Sequence, residues 1–557
     1  MRRITSGVLA LALAGTLAAC ASPATPKATA SAAEDYLVFY ADGQRAEALS
    51  AIERAGGSAV RTDTKLGYVL ARGAGTAFTD RLDGDRAVVG VSSDRQIGFA
   101  TAATGASAAG GPTGGASGGG AAAFPNASGL EEGAKGREPL AGRQWDMRMI
   151  GADKANGKAP GSKKVLVGII DTGVDGNHPD IAPNFNRTLS RNFVTDRPND
   201  KYGETLDGPC EVKSCKDPVD RDDDGHGTHV ASTIGSPVNG LGIAGVAPNV
   251  QLVNIRAGQD SGFFFLKPSL DALTYAADIG VDVVNMSYYV DPWLFNCANN
   301  KADSKRERSE QRAIITGMQR ALDYARKKGV TLISALGNGS TDLGKPKTDR
   351  DSPGYPRGDE KVRKIDNNCL NVPAESKGVI SIAALGPSGR KSIYSDYGIE
   401  QADLSAPGGD SLDGKGSSPT RSILAAAPEA VLRRAQKLDK SGKPKTSEVV
   451  RDCSKGTCSY YQYLDGTSMA APHATGVAAI LISRFGKPGK GGLTLSPATV
   501  EKLLYASATK KACPSPRAYV YKIYDEELTH VCEGGKSKNG FYGRGVVDAL
   551  TAATMKR

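Results

Sequence analysis

The sequence lacks a long apolar run beyond about its first 20 residues, and a transmembrane helix needs about 20 consecutive apolar residues. A polytopic membrane protein is therefore excluded. Gly (68) and Pro (29) make up about 17% of the 557 residues, below the roughly 25–30% of low-complexity chains, which excludes a collagen or a mostly disordered chain. Hydrophobic residues at 39% and charged residues at 23% fit a soluble globular protein of several domains, or of one large domain with accessories.

The sequence also lacks a strong excess of one charge, because 70 basic residues stand against 60 acidic ones and give a net charge of +10. No basic helix stands out, nor does a stripe of basic residues interleaved with aromatic ones. Such features mark nucleic-acid-binding surfaces. We therefore expect a solvated basic exterior and no nucleic-acid partner.

The N-terminus predicts export. Met1 is followed by two arginines and by an apolar run over residues 8–19, which is the pattern of a secretory signal. The run ends Leu-Ala-Ala-Cys, which resembles a bacterial lipobox, in which the thiol of Cys20 receives diacylglycerol. We predict a lipoprotein signal peptide over residues 1–20, with ordinary secretion after cleavage at Ala21 as the alternative. The protein is then expected as a lipoprotein anchored to the cell membrane, or as an extracellular protein.

The nine cysteines support this prediction. Without Cys20 an even number remains, as expected for disulfides formed in an oxidising compartment. Eight cysteines allow 105 pairings, so the sequence leaves the connectivity open. Proximity favours two short loops, and elimination then gives two longer ones: Cys210–Cys215, Cys453–Cys458, Cys297–Cys369 and Cys513–Cys532.

Residues 35–100 are predicted to form a small α+β unit. Residues 101–138 then consist mainly of Gly, Ala, Ser and Thr, and such a run cannot bury enough apolar surface to offset its chain entropy. We predict a flexible linker there, and exposed linkers are where proteases cut. In the first unit, strands are expected at 36–40, 67–71 and 87–91, and helices at 44–55 and 76–82.

From residue 139 onwards, continuous apolar runs alternate with helical stretches such as 311–328. Because both faces of such strands must be covered, this pattern predicts an α/β fold with a parallel sheet and helices on both faces. In such sheets, functional residues gather at the carboxyl ends of the strands. The predicted strands are 165–170, 252–255, 281–286, 330–335 and 379–383.

Three short segments in this region carry residues suited to catalysis. Asp171 directly follows the first strand, His226 lies in the sequence GHGTH, and Ser468 lies in GTSMAAPH. Pro472 fits only the first turn of a helix, which places Ser468 near a helix N-terminus, where free N–H groups can stabilise an anion. Taken singly, each segment also has a structural interpretation. Asp171 would be a turn or cap residue. His226 would be structural, or would bind a metal together with His229. The Gly-Thr-Ser sequence around Ser468 would be an N-cap.

Together, the three segments resemble the motifs of the subtilase family of serine peptidases, in the same Asp, His, Ser order. The resemblance implies a subtilisin-like catalytic domain over residues 139–555, with a parallel sheet and helices on both faces. Residues 35–100 resemble the family's inhibitor-type propeptide, a small α+β domain that precedes the peptidase.

The resemblance also implies a mechanism. Ser468 would be the nucleophile, His226 the general base, and Asp171 the group that orients the imidazole. Asn338 lies in the sequence LGNG after the strand 330–335 and matches the family's oxyanion donor. Its side-chain amide would bind the tetrahedral oxyanion beside the N–H of Ser468. His229 is then expected to pack or bond locally.

Substrate binding in the family uses extended pairing with the segment after Asn-Met-Ser. Here Ser287, Tyr288 and Tyr289 form that segment, and Gly337 beside the oxyanion donor is the fourth expected substrate-binding residue. The family commonly has small residues after the serine and its neighbour. Tyr289 departs from this pattern, so the cleft is expected to be narrowed or reshaped.

Calcium, in a structural role, is the cofactor that the resemblance implies. The segment 237–248 resembles the family's calcium loop, in which backbone carbonyls and the amide oxygen of Asn239 would face a hard cation. Asp180 matches the family's carboxylate ligand, whereas the N-terminal ligand has no match. The alternative is a glycine-rich turn with Asn239 in a left-handed conformation. The acidic run 222–224 is expected to be a solvated loop rather than a second metal site.

These observations predict an exported serine endopeptidase that acts on proteins or peptides and is made as an autoprocessed zymogen. Residues 35–100 would inhibit the enzyme in the same molecule. Cleavage within 101–140 would release the enzyme and, where Cys20 is acylated, would also detach it from the membrane unless residues 35–100 stay bound. The alternative is a catalytically inactive, subtilase-like lipoprotein that binds peptides at the cell surface, and Tyr289 is the only feature that favours it.

Overall fold

The computed structural model describes residues 33–93, 138–199, 203, 205–354, 359–523 and 526–556. The predicted signal peptide, Cys20 and nearly all of the predicted linker lie outside these residues. Within the described part of the chain, no helix is both long and apolar enough to span a bilayer.

The N-terminal unit consists of β1 (Ala33–Tyr40), α1 (Arg45–Arg54), β2 (Ser58–Asp63), β3 (Tyr68–Ala74), α2 (Gly75–Leu82) and β4 (Val88–Ser93). Its four strands form an antiparallel sheet in the order β2-β3-β1-β4. Side chains of β1 alternate between the two faces, so Val38 packs with the two helices of the unit while Phe39 packs with the long helix Lys305–Lys327. The predicted small α+β unit is thus present, and its sheet contacts the larger part of the chain.

The rest of the described chain is larger and contains both helices and strands. Its helices are α3 (Trp145–Met149), α4 (Ala152–Ala155), α5 (His226–Gly235), α6 (Leu266–Ile279), α7 (Lys305–Lys327), α8 (Glu429–Arg434), α9 (Thr467–Phe485), α10 (Pro497–Ser507) and α11 (Ala549–Thr554). Its strands are β5 (Leu166–Ile170), β6 (Arg191–Asn192), β7 (Gln251–Arg256), β8 (Val283–Met286), β9 (Thr331–Ala335), β10 (Thr348–Asp349), β11 (Arg363–Lys364), β12 (Ile380–Leu385), β13 (Leu404–Pro407), β14 (Ile423–Ala426), β15 (Val449–Asp452), β16 (Ser459–Leu464), β17 (Lys487–Gly489), β18 (Gly492–Thr494), β19 (Ala518–Ile523) and β20 (Glu526–Val531).

A parallel sheet of seven strands forms the centre of this part, in the order β13-β12-β9-β8-β5-β7-β6. Helices α5 and α9 cover one face and α6 and α7 the other. On β5, Val167 and Ile169 pack in the core between the sheet and helices α5 and α9. Leu166 and Ile170 pack in the core on the other face, with α6 and α7. The predicted α/β fold is confirmed, and the bounds of each predicted strand lie within two residues of those observed.

The four disulfides favoured by the sequence are all present: Cys210–Cys215, Cys297–Cys369, Cys453–Cys458 and Cys513–Cys532. The third closes the connection between β15 and β16. These two strands and β14 form a separate antiparallel sheet in the order β14-β16-β15.

Candidate active site

Three neighbouring strands of the large sheet end at the candidate site. β5 pairs with β8, and β8 with β9, all in parallel, so the residues that follow these strands meet at one edge of the sheet. Asp171 directly follows β5, Ser287 directly follows β8, and Gly337 and Asn338 come shortly after β9. Helix α9 brings Ser468 to the same edge, where its Oγ donates a hydrogen bond to the carbonyl oxygen of Ser287 at 3.3 Å.

Asp171 and His226 are directly hydrogen-bonded. The carboxylate of Asp171 is fully buried, and its Oδ1 lies 2.8 Å from the N–H donor of Thr172 and 2.7 Å from Nδ1 of His226. Because an ionised carboxylate can only accept a hydrogen bond, Nδ1 carries the proton of the neutral imidazole and Nε2 keeps its lone pair. Nε2 has no hydrogen-bond partner among the described residues, so the ring is oriented as a proton acceptor.

Glycines on both sides of His226 let helix α5 begin this close to Asp171. Gly225 has a φ of 100°, in the left-handed region that favours glycine. A Cβ atom on Gly227 would lie 2.1 Å from the carbonyl oxygen of Gly173, which is too close for any side chain. Gly225 is therefore required by its backbone conformation. Gly227 is required by the close contact between the start of α5 and the loop that follows β5.

The acidic run 222–224 is not the solvated loop that the sequence predicted, and its first two residues are buried. The carboxylate of Asp222 accepts the N–H of Thr228 at 2.9 Å, and that of Asp224 accepts the N–H of His226 at 3.0 Å. The prediction was wrong because the first turn of a helix offers N–H donors and the positive end of the helix dipole, and both stabilise buried carboxylates.

These carboxylates change the proton affinity of His226. Burial lowers the pKa of His226, but the charge and hydrogen bond of Asp171 and the charges of Asp224 and Asp222 together raise the pKa to about 9. The imidazole is therefore mostly protonated at neutral pH. It becomes a proton acceptor as the pH rises towards this value.

Asn338 is held with its –NH₂ group turned away from Thr467. Its carboxamide oxygen accepts the backbone N–H of Thr467 at 2.9 Å and the hydroxyl of the same residue at 2.8 Å. A backbone N–H can only donate, so the atom that faces it must be the oxygen, which fixes the orientation of the amide. Gly337 supports this arrangement by donating its N–H to the same hydroxyl at 3.1 Å. A Cβ atom on Gly337 would lie 2.2 Å from a carboxylate oxygen of Asp396, so the position requires glycine.

The segment after β8 places its three expected substrate-binding residues differently. The hydroxyl of Ser287 donates to the carbonyl oxygen of Ser468 at 3.0 Å, so this residue lies against the start of α9. Tyr288 is only 8% exposed, and its ring stacks on that of Phe264 with centroids 4.2 Å apart, so its side chain belongs to the core. Tyr289 is half-buried, and burial raises the pKa of its hydroxyl well above the usual value.

Two other histidines have structural contacts. Nε2 of His229 lies 3.0 Å from the carbonyl oxygen of Ile423 and 3.1 Å from that of Gln462, which confirms the expected local bonding. Nε2 of His473 lies 3.1 Å from a carboxylate oxygen of Asp146 on α3. The sequence predicts no contact for His473, although this residue lies in the same motif as the serine. Its partner is 327 positions away, so no local pattern indicates the pair.

The predicted calcium ligands Asp180 and Asn239 lie together, but the atoms around them do not fit a cation. One carboxylate oxygen of Asp180 accepts the hydroxyl of Tyr461 and the N–H of Ile243, both at 3.0 Å. The other oxygen accepts the –NH₂ group of Asn239 at 3.2 Å, so the asparagine turns its nitrogen towards the carboxylate. Calcium takes about six to eight oxygen ligands with free lone pairs, and here three hydrogen-bond donors face the carboxylate of Asp180, with at least one on each oxygen.

A separate acidic cluster, which the sequence analysis missed, could hold a metal ion. Ligand atoms of Asp196, Glu211, Asp217 and Asp260 lie within 4.8 Å of one another. The buried guanidinium of Arg256 donates to three of them, at 2.6 Å to Asp196 and to Asp217 and at 2.9 Å to Asp260. The cluster therefore combines metal-type ligands with a positive charge supplied by the chain itself.

The architecture belongs to a known class, the subtilisin-like fold. A crystal structure of the epidermin leader peptide processing serine protease from Staphylococcus aureus matches with a TM-score of 0.58 at 21% identity, over 94% of this chain and 99% of that one. The chain belongs to the subtilase family, since residues 162–525 match the profile of that family.

Two curated relatives extend this finding. The thermophilic serine proteinase of Bacillus sp. (strain AK1) is 27% identical over 344 residues, which cover 62% of this chain and 58% of that protein. Fervidolysin of Fervidobacterium pennivorans is 26% identical over 357 residues, which cover 62% of this chain and 39% of that protein. The match thus spans less than two thirds of the length of either relative.

Proposed function

We propose that the protein is an exported serine endopeptidase that hydrolyses peptide bonds through Ser468, His226 and Asp171. One observation carries the proposal. The 2.7 Å hydrogen bond between Asp171 and His226 leaves Nε2 without a partner, at the sheet edge where Ser468 begins a helix. Membership of the subtilase family supports the same conclusion.

The proposed mechanism uses these three side chains for each proton transfer. Oγ of Ser468 attacks the carbonyl carbon of the substrate and passes its proton to Nε2 of His226, while Asp171 stabilises the imidazolium. The hydroxyl donates to Ser287 in the structure, so it turns from that carbonyl oxygen to Nε2 of His226 before the attack. His226 then returns the proton to the leaving amine as the C–N bond breaks, and water hydrolyses the acyl-enzyme by the same route.

The proposed oxyanion site consists of the –NH₂ group of Asn338 and the N–H of Ser468. The N–H groups in the first turn of a helix have no acceptor within that helix. The carboxamide oxygen of Asn338 is already bound by Thr467, which directs the donor end of this side chain elsewhere. Two preset donors of this kind stabilise the charge that develops in the transition state without reorganisation.

We also propose that the protein is made as a zymogen, inhibited by its N-terminal unit and processed in the linker. β4 packs so closely on α7 that a Cβ atom on Gly90 would lie 2.5 Å from the carbonyl oxygen of Ser309. Arg312 on α7 donates to the carbonyl oxygen of Val89 at 3.0 Å and to Asp83 at 2.8 Å. These contacts support a unit that stays bound after the chain is cut.

Export, with lipidation of Cys20 and attachment to a membrane, stays a prediction from the sequence, and the four disulfides support it. Proteins or peptides are the proposed substrates, and two relatives are named for processing the leader peptides of epidermin and nisin. We place no calcium ion between Asp180 and Asn239, because both oxygens of Asp180 already accept hydrogen bonds and the –NH₂ group of Asn239 faces the carboxylate.

Labelling with a fluorophosphonate probe tests the proposal. We expect the purified mature protein, separated from its N-terminal unit, to react at Ser468, and Ser468→Ala to lose both labelling and peptidase activity, because the probe requires an activated serine. Ser483→Ala, later on the same helix, is the matched control and keeps both. A folded protein that stays unlabelled at Ser468 refutes the proposal and supports the inactive peptide-binding lipoprotein instead.

A further inference from the structure

The loop 237–248 is covered by the hairpin β15–β16. The disulfide Cys453–Cys458 closes the turn between the two strands of this hairpin. Tyr461 of β16 is fully buried, and its hydroxyl donates to Asp180, whose carboxylate also bonds Asn239 and Ile243 of the loop. A Cβ atom on Gly242 would lie 1.8 Å from this hydroxyl oxygen, so the loop needs glycine where the tyrosine enters. The hairpin therefore fills the space beside the carboxylate with a protein hydroxyl.

The same hairpin contacts the backbone of the loop with two charged side chains. Asp452 accepts the N–H of Gly242 at 2.8 Å. The ammonium group of Lys455 donates to the carbonyl oxygen of Asn239. A calcium loop uses carbonyl oxygens of this kind to bind its metal, and here a side-chain cation binds one of them instead.

Residues on the other side of the loop complete this pattern. The N–H of Gly240 donates to the carboxylate of Glu138 at 3.1 Å. The carbonyl oxygen of Gly242 accepts the N–H of Leu140 at 2.7 Å. The loop thus directs the N–H groups of Gly240, Gly242 and Ile243 at carboxylates. Its carbonyl oxygens at Asn239 and Gly242 each accept from a separate protein donor, whereas a calcium loop turns several oxygens to one cation.

We infer that the hairpin β15–β16 replaces the structural calcium ion at this loop, so that Tyr461, Lys455 and Asp452 hold residues 237–248 without metal. A calcium ion could reach Asp180 only after both the hydroxyl of Tyr461 and the –NH₂ group of Asn239 moved away. The inference is independent of the proposed peptidase activity.

Thermal unfolding of the full chain tests the inference, with Ser468→Ala present in every sample to prevent self-cleavage. We expect the same Tm in excess EGTA and in millimolar CaCl₂. We expect Tyr461→Phe and Lys455→Met each to lower the Tm by about 1–2 °C in both solutions, as for the loss of one intramolecular hydrogen bond in a domain of this size. Lys440→Met, at an exposed position between α8 and β15, is the matched control and leaves the Tm unchanged.

The calcium comparison on the parent chain decides the inference even where a hairpin variant does not fold. A calcium-dependent rise in the Tm that is lost in Asp180→Asn overturns the inference, because the ion would then bind at this loop. A rise that persists in Asp180→Asn assigns the ion to another site and supports the inference. Hairpin variants that melt at the same temperature as the control also overturn it.

Discussion

The raised pKa of His226 predicts a peptidase that works best at alkaline pH. His226 can take the proton of Ser468 only while its imidazole is neutral, so activity is lost as the pH falls below this pKa. With a pKa of about 9, about one molecule in 100 has a neutral imidazole at pH 7, and this fraction rises about tenfold for each pH unit up to the pKa. We therefore expect kcat/KM to rise about 100-fold from pH 7 to its alkaline plateau.

The Asp224→Asn variant tests the cause of this shift. Asparagine keeps the oxygen that accepts the N–H of His226 at 3.0 Å but removes a charge that raises the pKa of the imidazole. Burial raises the pKa of Asp224 to about 6, so the carboxylate is charged throughout the pH range above neutrality in which His226 loses its proton. We expect the lower limb of the profile to move by roughly 0.5–1 pH unit towards acid, since a partly buried charge a few ångströms away contributes about 1 kcal/mol. Activity at neutral pH therefore rises.

The assay is kcat/KM for an uncharged peptide substrate, measured across the pH range at constant ionic strength. Asp153→Asn, exposed on α4, is the control and should reproduce the parent profile. A parent profile with its midpoint at the ordinary histidine value of about 6.5 would refute the reasoning. A limb that moves to higher pH in Asp224→Asn would refute it as well, because removal of a negative charge cannot raise the pKa of a cationic acid.

Three further substitutions separate the roles of the site residues. Asp171→Asn should lower kcat by about 10⁴, because the amide no longer fixes the proton on Nδ1 of His226, and an unchanged kcat would contradict the proposed orientation. Asn338→Asp keeps an acceptor for Thr467 but replaces the donor with a negative charge that repels the oxyanion, so steady-state kinetics should show kcat reduced by at least about 10²–10³, with little change in KM. Gly227→Ala places a Cβ atom 2.1 Å from the carbonyl oxygen of Gly173 and should lower both the Tm and the activity, whereas an unchanged melting curve would show that α5 begins further from that loop.

The central strands and the residues at their ends could be predicted because local sequence encodes them. A continuous apolar run such as β5 is buried on both faces, and Asp171 ends it abruptly. The sequence also contains a signal for the true start of α7, which lies before the predicted one. Ser304 and Glu307 form a capping box there, whereas the predicted helix begins only at residue 311.

Other features depend on contacts that no local pattern contains. The hydroxyl of Tyr461 meets Asp180 across 281 positions of sequence, so the loop 237–248 resembles a calcium loop until the hairpin is placed on it. Strand β2 is exposed for most of its length and has no apolar signature, so it was missed. The acidic run 222–224 was taken for a solvated surface because its charges are visible in the sequence while their N–H partners on α5 are not.

The sheet β14-β16-β15 holds helix α5 and the loop 237–248 by different chemistry. The backbone carbonyl oxygens of Ile423 and Gln462 hold His229, one turn after His226 on α5, whereas the side chain of Tyr461 holds the loop 237–248. Carbonyl groups are present whatever the side chain, so a substitution at Tyr461 leaves the contact with α5 in place. Tyr461→Phe should therefore lower the Tm without moving the pH limb set by His226. A shift of that limb would mean that the hairpin side chains also position the helix.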